Sequence, residues 1–232
     1  MDIIGIIGAM QEEVSILKEK MDITEVVNKA SMEFNKGILN GKNVVVVTSG
    51  IGKVNAGICA QILADIFSVT HIINTGIAGS LKNEVNIGDI IISEEALQHD
   101  VDAVEFGYPP GQIPRLDTLA FPADKTLVAL AAATCKEVNP DIQVFKGRVL
   151  SGDQFIADSL VKQKLVENFD GGCTEMEGAA IAQAAYLNKI PYVVIRAISD
   201  KADNIAYVDY PAFEKAAILH SVRLVESMLS KM

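Results

Sequence analysis

Three acidic residues stand where a chain of this kind does chemistry. Glu13 sits at the start of a helical pattern, right after the apolar, β-branched run Ile3 to Gly8. Glu177 lies with Glu175 on either side of Met176, ahead of an alanine-rich helical stretch, and Asp200 follows the apolar run Tyr192 to Ile198. In open α/β sheets, ligands bind beyond the carboxyl ends of the strands. Three separated acids, each near such an end, are therefore placed to converge. Carboxyl groups gathered in one cleft donate and accept protons and stabilise a transition state that becomes positive. Each acid alone has a structural reading: carboxylates in a first helical turn offset the helix dipole, and Asp caps helices. Arg196 and Ser199, in the same strand-end segment as Asp200, tip the joint reading toward catalysis.

The elements that must hold these residues follow from the hydrophobic pattern. Strands are expected at 3–8, 44–48, 71–75, 89–93, 144–150 and 192–198, the fourth of them reading Asp89-Ile90-Ile91-Ile92-Ser93. Helices are expected at 10–20, 56–67, 125–135, 178–187 and 213–229. Continuous apolar strands alternating with helices imply a largely parallel sheet covered on both faces. A chain of 232 residues, half of them hydrophobic, suffices for one sizeable core, and no linker divides it. The one long irregular stretch, Gln98 to Pro122, carries Gly107, Pro109, Pro110, Gly111 and Pro114; loops of that length inside a domain serve function or contact a partner.

Several classes are set aside. A net charge of −10 with scattered Lys and Arg argues against nucleic acid as a partner. Mean hydropathy is +0.28, yet no apolar run approaches the ~20 residues of a membrane span. The opening Asp2-Ile3-Ile4 has neither the basic start nor the cleavage site of a signal peptide. Cys59, Cys135 and Cys173 are widely spaced and read as reduced core residues, so a cytoplasmic location is expected. His71, His99 and His220 are far apart, and no metal is implied. Ser49-Gly50-Ile51-Gly52-Lys53 is no Walker loop, because Val54 stands where Ser or Thr belongs and Val47 replaces the first glycine. Gly5 and Gly8 complete no dinucleotide fingerprint either. These glycines read as tight strand-to-helix turns, and no cofactor is expected.

Six strings occur in register along the whole chain: Ile6-Ile7-Gly8-Ala9-Met10-Gln11-Glu12-Glu13-Val14, Ser49-Gly50-Ile51-Gly52-Lys53-Val54, Asn74-Thr75-Gly76-Ile77-Ala78-Gly79, Ser151-Gly152-Asp153-Gln154-Phe155-Ile156, Glu175-Met176-Glu177-Gly178-Ala179-Ala180 and Arg196-Ala197-Ile198-Ser199-Asp200. In that order they resemble the bacterial 5'-methylthioadenosine/S-adenosylhomocysteine nucleosidases of the purine nucleoside phosphorylase-like superfamily. The resemblance implies one α/β domain over 1–232, a three-layer α/β/α sandwich with a central mixed, largely parallel sheet. It implies hydrolysis of the N-glycosidic bond of adenine nucleosides, in methionine salvage and the recycling of S-adenosylmethionine by-products. By position, Asp200 matches the acid that protonates adenine N7, Glu13 the base for water, and Glu177 the carboxylate on the ribose hydroxyls. Arg196 and Ser199 accompany them. Phe155 matches the ring stacked on the purine, Ile156 the backbone edge that reads it, and Met176 the floor beneath the sugar. Ala78, Gly79 and Glu175 fall in the substrate-binding strings. Met10, Ile51 and Tyr210 match the lining of the 5' pocket. Phe106 and Pro114 match residues lent across a homodimer interface.

One position departs. Ile77 stands where the family more often carries a serine that helps hold the catalytic water; either Glu13 and Arg196 suffice, or the water site is weaker. The chemistry accounts for the residue types. Adenine leaves readily only when N7 is protonated, which calls for a carboxyl kept acidic by burial or neighbouring charge. The ribose becomes oxocarbenium-like, which calls for carboxylates beside it. Three rival readings remain open: a nucleoside phosphorylase, disfavoured by two acids at Glu12 and Glu13 where phosphate would sit; a nucleoside-binding protein without catalysis; and a nucleosidase for aminodeoxyfutalosine or 5'-deoxyadenosine. Met10, Ile51, Tyr210 and Phe106 suit an apolar thioether without ranking these substrates.

Overall fold

A computed structural model describes residues 2–232. Its first strand, β1 (Ile3–Gly8), leads into α1 (Gln11–Glu19). The hairpin β2 (Asp22–Lys29) and β3 (Met32–Leu39) follows, then β4 (Lys42–Thr48), α2 (Lys53–Asp65), β5 (His71–Ser80) and β6 (Ile90–Gln98). After a long loop come β7 (Phe121–Pro122), α3 (Lys125–Val138), β8 (Val144–Ser151), α4 (Ser159–Phe169), β9 (Cys173–Glu175), α5 (Gly178–Asn188), β10 (Tyr192–Asp200) and α6 (Ala206–Lys231).

Among the described residues ten strands join one mixed sheet. Its centre, β4-β1-β5-β10, is parallel, as expected for runs such as Val44 to Val47 that are buried completely. At one end β10 also pairs antiparallel with β6, β6 runs parallel to β8 and β8 to β9, and β9 returns to β5 through Gly79–Thr174 and Ser80–Cys173. These five strands therefore close into a ring. α2 packs on α5, while α1 and α3 pack on α6, giving helices on both faces of the sheet.

The structure adds to the sequence reading at several points. The β2–β3 hairpin was not expected. β2 is an exposed edge strand with Asp22, Glu25 and Lys29 along it, so it lacks the buried apolar run that marks its neighbours; its turn uses Ala30 and Ser31 in left-handed conformation. α4 was also missed. It starts at the cap Asp158, whose carboxylate accepts from the N–H groups of Leu160 (2.8 Å) and Val161 (3.0 Å), and it buries only Leu165 and Phe169. β5 continues past Gly76 to Ser80, and β10 runs on through Ser199 and Asp200. α6 begins at Ala206 rather than Phe213 and carries Pro211 near its amino end. Among the described residues no helix is long and apolar enough to cross a membrane. The three cysteines are free and buried.

Candidate active site

The ends of β1, β5, β9 and β10 bring the acids together. Glu13, in the first turn of α1, folds back toward β1. Its Oε2 accepts from the N–H groups of Ala9 (2.6 Å) and Met10 (3.0 Å), and its Oε1 from that of Ile77 (3.2 Å). Burial raises its pKa, opposed by the Arg196 charge and by these three donors. Glu177 sits at the amino end of α5, with Oε1 accepting from Gly52 N–H at 2.8 Å. Burial first, then the neighbouring Glu175, push its carboxyl up to about 8, against the pull of Arg196. Asp200 ends β10. Ala202 N–H donates to its Oδ1 (2.8 Å) and the Ser199 hydroxyl to its Oδ2 (2.9 Å). Burial again raises its pKa, more than these two hydrogen bonds lower it.

Two strand positions make room for these groups. A Cβ on Gly76 would lie 2.6 Å from Glu13 Oε1, and one on Gly79 would lie 2.7 Å from Asp200 Oδ1. Side chains other than hydrogen at 76 and 79 would displace the two carboxylates.

Behind the acids lies Arg196, the largest fully buried side chain among the described residues. Its guanidinium donates to both sides of its surroundings: Nε (3.2 Å) and Nη2 bond Glu175 Oε2, Nη2 bonds Asn74 Oδ1 (2.7 Å), and Nη1 bonds the Ile195 carbonyl (3.2 Å). Burial works against its charge, but Glu175, Glu13 and Glu177 outweigh that and raise its pKa. Glu175 is fully engaged as well: Ser151 Oγ donates to Oε1, and the N–H groups of Glu177 (3.1 Å) and Gly178 (2.8 Å) donate to Oε2.

In front of the acids opens a cavity of about 540 Å³. Of the residues singled out by sequence, Met10, Glu13, Ile51, Ala78, Gly79, Phe155, Glu175, Met176, Glu177, Ser199, Asp200 and Tyr210 line it. Phe155 meets Tyr210 edge-on at 5.9 Å, and the Tyr210 hydroxyl lies 3.3 Å from Met10 Sδ, so one apolar wall is continuous. Ile156 borders a small adjoining hollow with Phe155 and Asp200. Arg196 stays behind the wall. Phe106 is 84 % exposed, Pro114 is exposed too, and neither lines this cavity. Ala9, Thr174 and Tyr207 line it without having been assigned a role; Ala9 lies inside the string around Glu13 and Thr174 adjoins the one around Glu175, whereas Tyr207 precedes Pro211, where no helix was expected. Ile77 presents an apolar side chain to the cavity but lends its backbone N–H to Glu13. Among the described residues no cluster of His, Cys, Asp and Glu is arranged to hold a metal.

A partly closed α/β sheet whose strand ends gather buried carboxyl groups around an apolar cavity defines an enzyme of the phosphorylase superfamily, and the model of that superfamily matches residues 3–230. A 5'-methylthioadenosine/S-adenosylhomocysteine nucleosidase of Geobacillus sp. (strain WCH70) is 42% identical over 230 residues, 99% of this chain and 98% of that protein. The crystal structure of the nucleosidase of that name from Neisseria meningitidis, in complex with methylthio-immucillin-A, superposes with a TM-score of 0.96 at 34% identity, covering 100% of both chains. The chain belongs to the 5'-methylthioadenosine/S-adenosylhomocysteine nucleosidase family. It is also similar to the futalosine hydrolase of Helicobacter pylori strain 26695, with a TM-score of 0.94, 32% identity and coverage of 100% of this chain and 98% of that one.

Proposed function

We propose that this chain, as one domain, hydrolyses the N-glycosidic bond of 5'-methylthioadenosine and S-adenosylhomocysteine, releasing adenine and the 5-substituted ribose. Asp200 in its acid form donates a proton to N7 as the C1'–N9 bond breaks and its electron pair moves into the base. Glu13 and Glu177 stabilise the positive charge that grows on the sugar. Water adds to C1' and gives its proton to Glu13. Glu177 holds the ribose hydroxyls over Met176, Phe155 stacks on the base beside Ile156, and Met10, Ile51 and Tyr210 receive the 5' substituent.

One observation carries the choice of water over phosphate. No Lys, Arg or His is among the described residues lining the cavity, and Arg196 behind it is committed to Glu175 and Asn74. The cavity offers a phosphate dianion carboxyl groups and no cation to hold it. Adenine release from methylthioadenosine is expected at the same rate with and without phosphate; strict phosphate dependence would overturn the reading.

The Glu177 carboxyl accepts two hydroxyls only when ionised. Its pKa near 8 means that KM falls as pH rises toward that value, and a Glu177→Gln variant should show a higher KM without this pH dependence. A KM profile that is the same in both proteins removes Glu177 from the sugar.

The exposed Phe106 and Pro114 fit a homodimer in which each chain completes its neighbour's 5' pocket, and a monomeric mass at micromolar concentration argues against that arrangement. The free, buried cysteines suit the reducing cytoplasm. A second reading, cleavage of a futalosine-type nucleoside, is favoured only by the likeness to the Helicobacter hydrolase. A panel of 5'-substituted adenosines assayed side by side separates the two.

A further inference from the structure

The amino end of α2 is shared between two carboxylates that arrive from different parts of the chain. The N–H of Gly52, just before the helix, donates to Glu177 Oε1 at 2.8 Å, and the next N–H, that of Lys53, donates to Asp153 Oδ1 at 2.8 Å. Asp153 is in turn held from outside. Its own N–H donates to Asp100 Oδ2 at 3.0 Å, and Asp100 Oδ1 is paired with Lys53 Nζ at 2.5 Å. The Lys53 ammonium also bonds Gln98 Oε1 at 3.1 Å, and Gln98 Nε2 reaches Gln183 on α5 at 2.7 Å. The Lys53 and Asp100 side chains are 17% and 18% exposed, so this pair is shielded enough to hold a geometry. Gly52 has a φ of +97°, and a Cβ there would come within 3.1 Å of Asp153 Oδ1, so the turn admits only glycine if it is to touch both acids.

The outcome is a closed circuit. It starts at Glu177 on α5, crosses the turn before α2 and passes through Asp153. Two residues further along lies Phe155. Asp153 itself does not line the cavity.

We propose that Asp153, braced by the Lys53–Asp100 pair, is a positioning residue that fixes the separation between Glu177 and Phe155, and so the angle at which the sugar and the base of the nucleoside are presented. This rests on the nucleoside-cleaving reading above. Asp200 and Glu13 lie outside the circuit, so disturbing it loosens substrate binding while leaving the proton transfers largely intact.

The test is steady-state adenine release by the full-length chain with methylthioadenosine. Asp153→Ala should raise KM by about tenfold while kcat changes by less than about threefold. Asp153→Asn should restore KM, because its amide oxygen still accepts from Lys53 N–H. A purely structural role would not move a third readout. With the turn loosened, Glu177 loses the Gly52 donor that favours its ionised form, so the pH at which KM improves should shift upward in the Ala variant and return in the Asn variant. Asp100→Ala, which removes the acceptor for Asp153 N–H, serves in the same assay if Asp153→Ala does not fold. An unchanged KM, a kcat loss as large as the KM rise, or failure of Asn to rescue overturns the proposal. Absence of adenine release by the unaltered chain would instead overturn the nucleosidase reading itself.

Discussion

Replacing Asp200 by asparagine lowers kcat for adenine release by about 10²–10⁴-fold and leaves the fold in place. The substitution is nearly isosteric. The asparagine carbonyl oxygen still accepts from Ala202 N–H, and its amide can donate to Ser199 Oγ while that hydroxyl turns to the Ala78 carbonyl, 3.4 Å away. What is lost is a proton that can be given up. An amide has none to transfer, so the base must leave as an anion, at a barrier about 3–5 kcal/mol higher. Two further measurements separate this from general damage. A ribosyl substrate whose leaving group needs no protonation should keep most of its rate in the variant. In the unaltered protein, the acid form of Asp200 survives above its ordinary pKa of 3.8 because burial raises it, and kcat should fall as pH climbs through that raised value. Near-normal turnover of methylthioadenosine by the variant would remove Asp200 from the role.

Arg196→Met is expected to destabilise the protein by about 3–5 kcal/mol, the usual consequence of stripping one partner from a buried ion pair. Methionine fills much the same volume, so the loss is electrostatic. Glu175 would keep its donors from Glu177 and Gly178 but face no cation, and Glu13 and Glu177 would lose their shared counter-charge. The pH dependence has a definite sign. Removing Arg196 raises the folded-state pKa values of Glu13 and Glu177 further above the ordinary 4.5. Their contribution is fully present below that value and is lost as pH rises, so the deficit is greatest at neutral pH and narrows on acidification. Urea unfolding at two pH values measures it. The double variant with Glu175→Gln should recover part of the loss, because a neutral amide needs no partner cation. A deficit below about 1 kcal/mol would mean that the cluster does not depend on the guanidinium.

Much of this arrangement could be read from residue order, and the reasons are physical. Strands buried on both faces announce themselves as unbroken apolar runs, which is why Val44 to Val47 and Tyr192 to Ile198 were legible. β2 was not, because an exposed edge strand has no such run, and α4 was not, because it buries only two residues along its length. Glu13 and Asp200 were legible because each comes after an apolar run read as a strand, and Glu177 because it opens a helical stretch; the three-residue β9 ahead of it has no such run. The division between groups facing the cavity and groups behind it was hidden. Arg196 and Ser199 lie in one short segment, yet alternation along β10 turns the arginine away from the cavity while Ser199 lines it. Glu175 lines the cavity and still spends its oxygens on Arg196 and Ser151. The tie between Glu177 and Gly52, 125 residues apart in sequence, has no local signal at all.

Gly76 and Gly79 carry a consequence for how this fold ages. The oxygens of Glu13 and Asp200 occupy the volume that two β-carbons would fill, so the reactive atoms double as packing atoms. Gly79 would stay held whatever becomes of Asp200, because a Cβ there also meets Ala202 Cβ at 2.9 Å, but a descendant that lost Glu13 would inherit a small void and Gly76 would be released from its closest contact. Alanine could then settle there, filling the space and removing the entropy that glycine costs a strand. Glu13 and Gly76 thus form a two-letter record of activity. A chain of this architecture with neither the acid nor the glycine has lost its chemistry long enough for the core to heal over it.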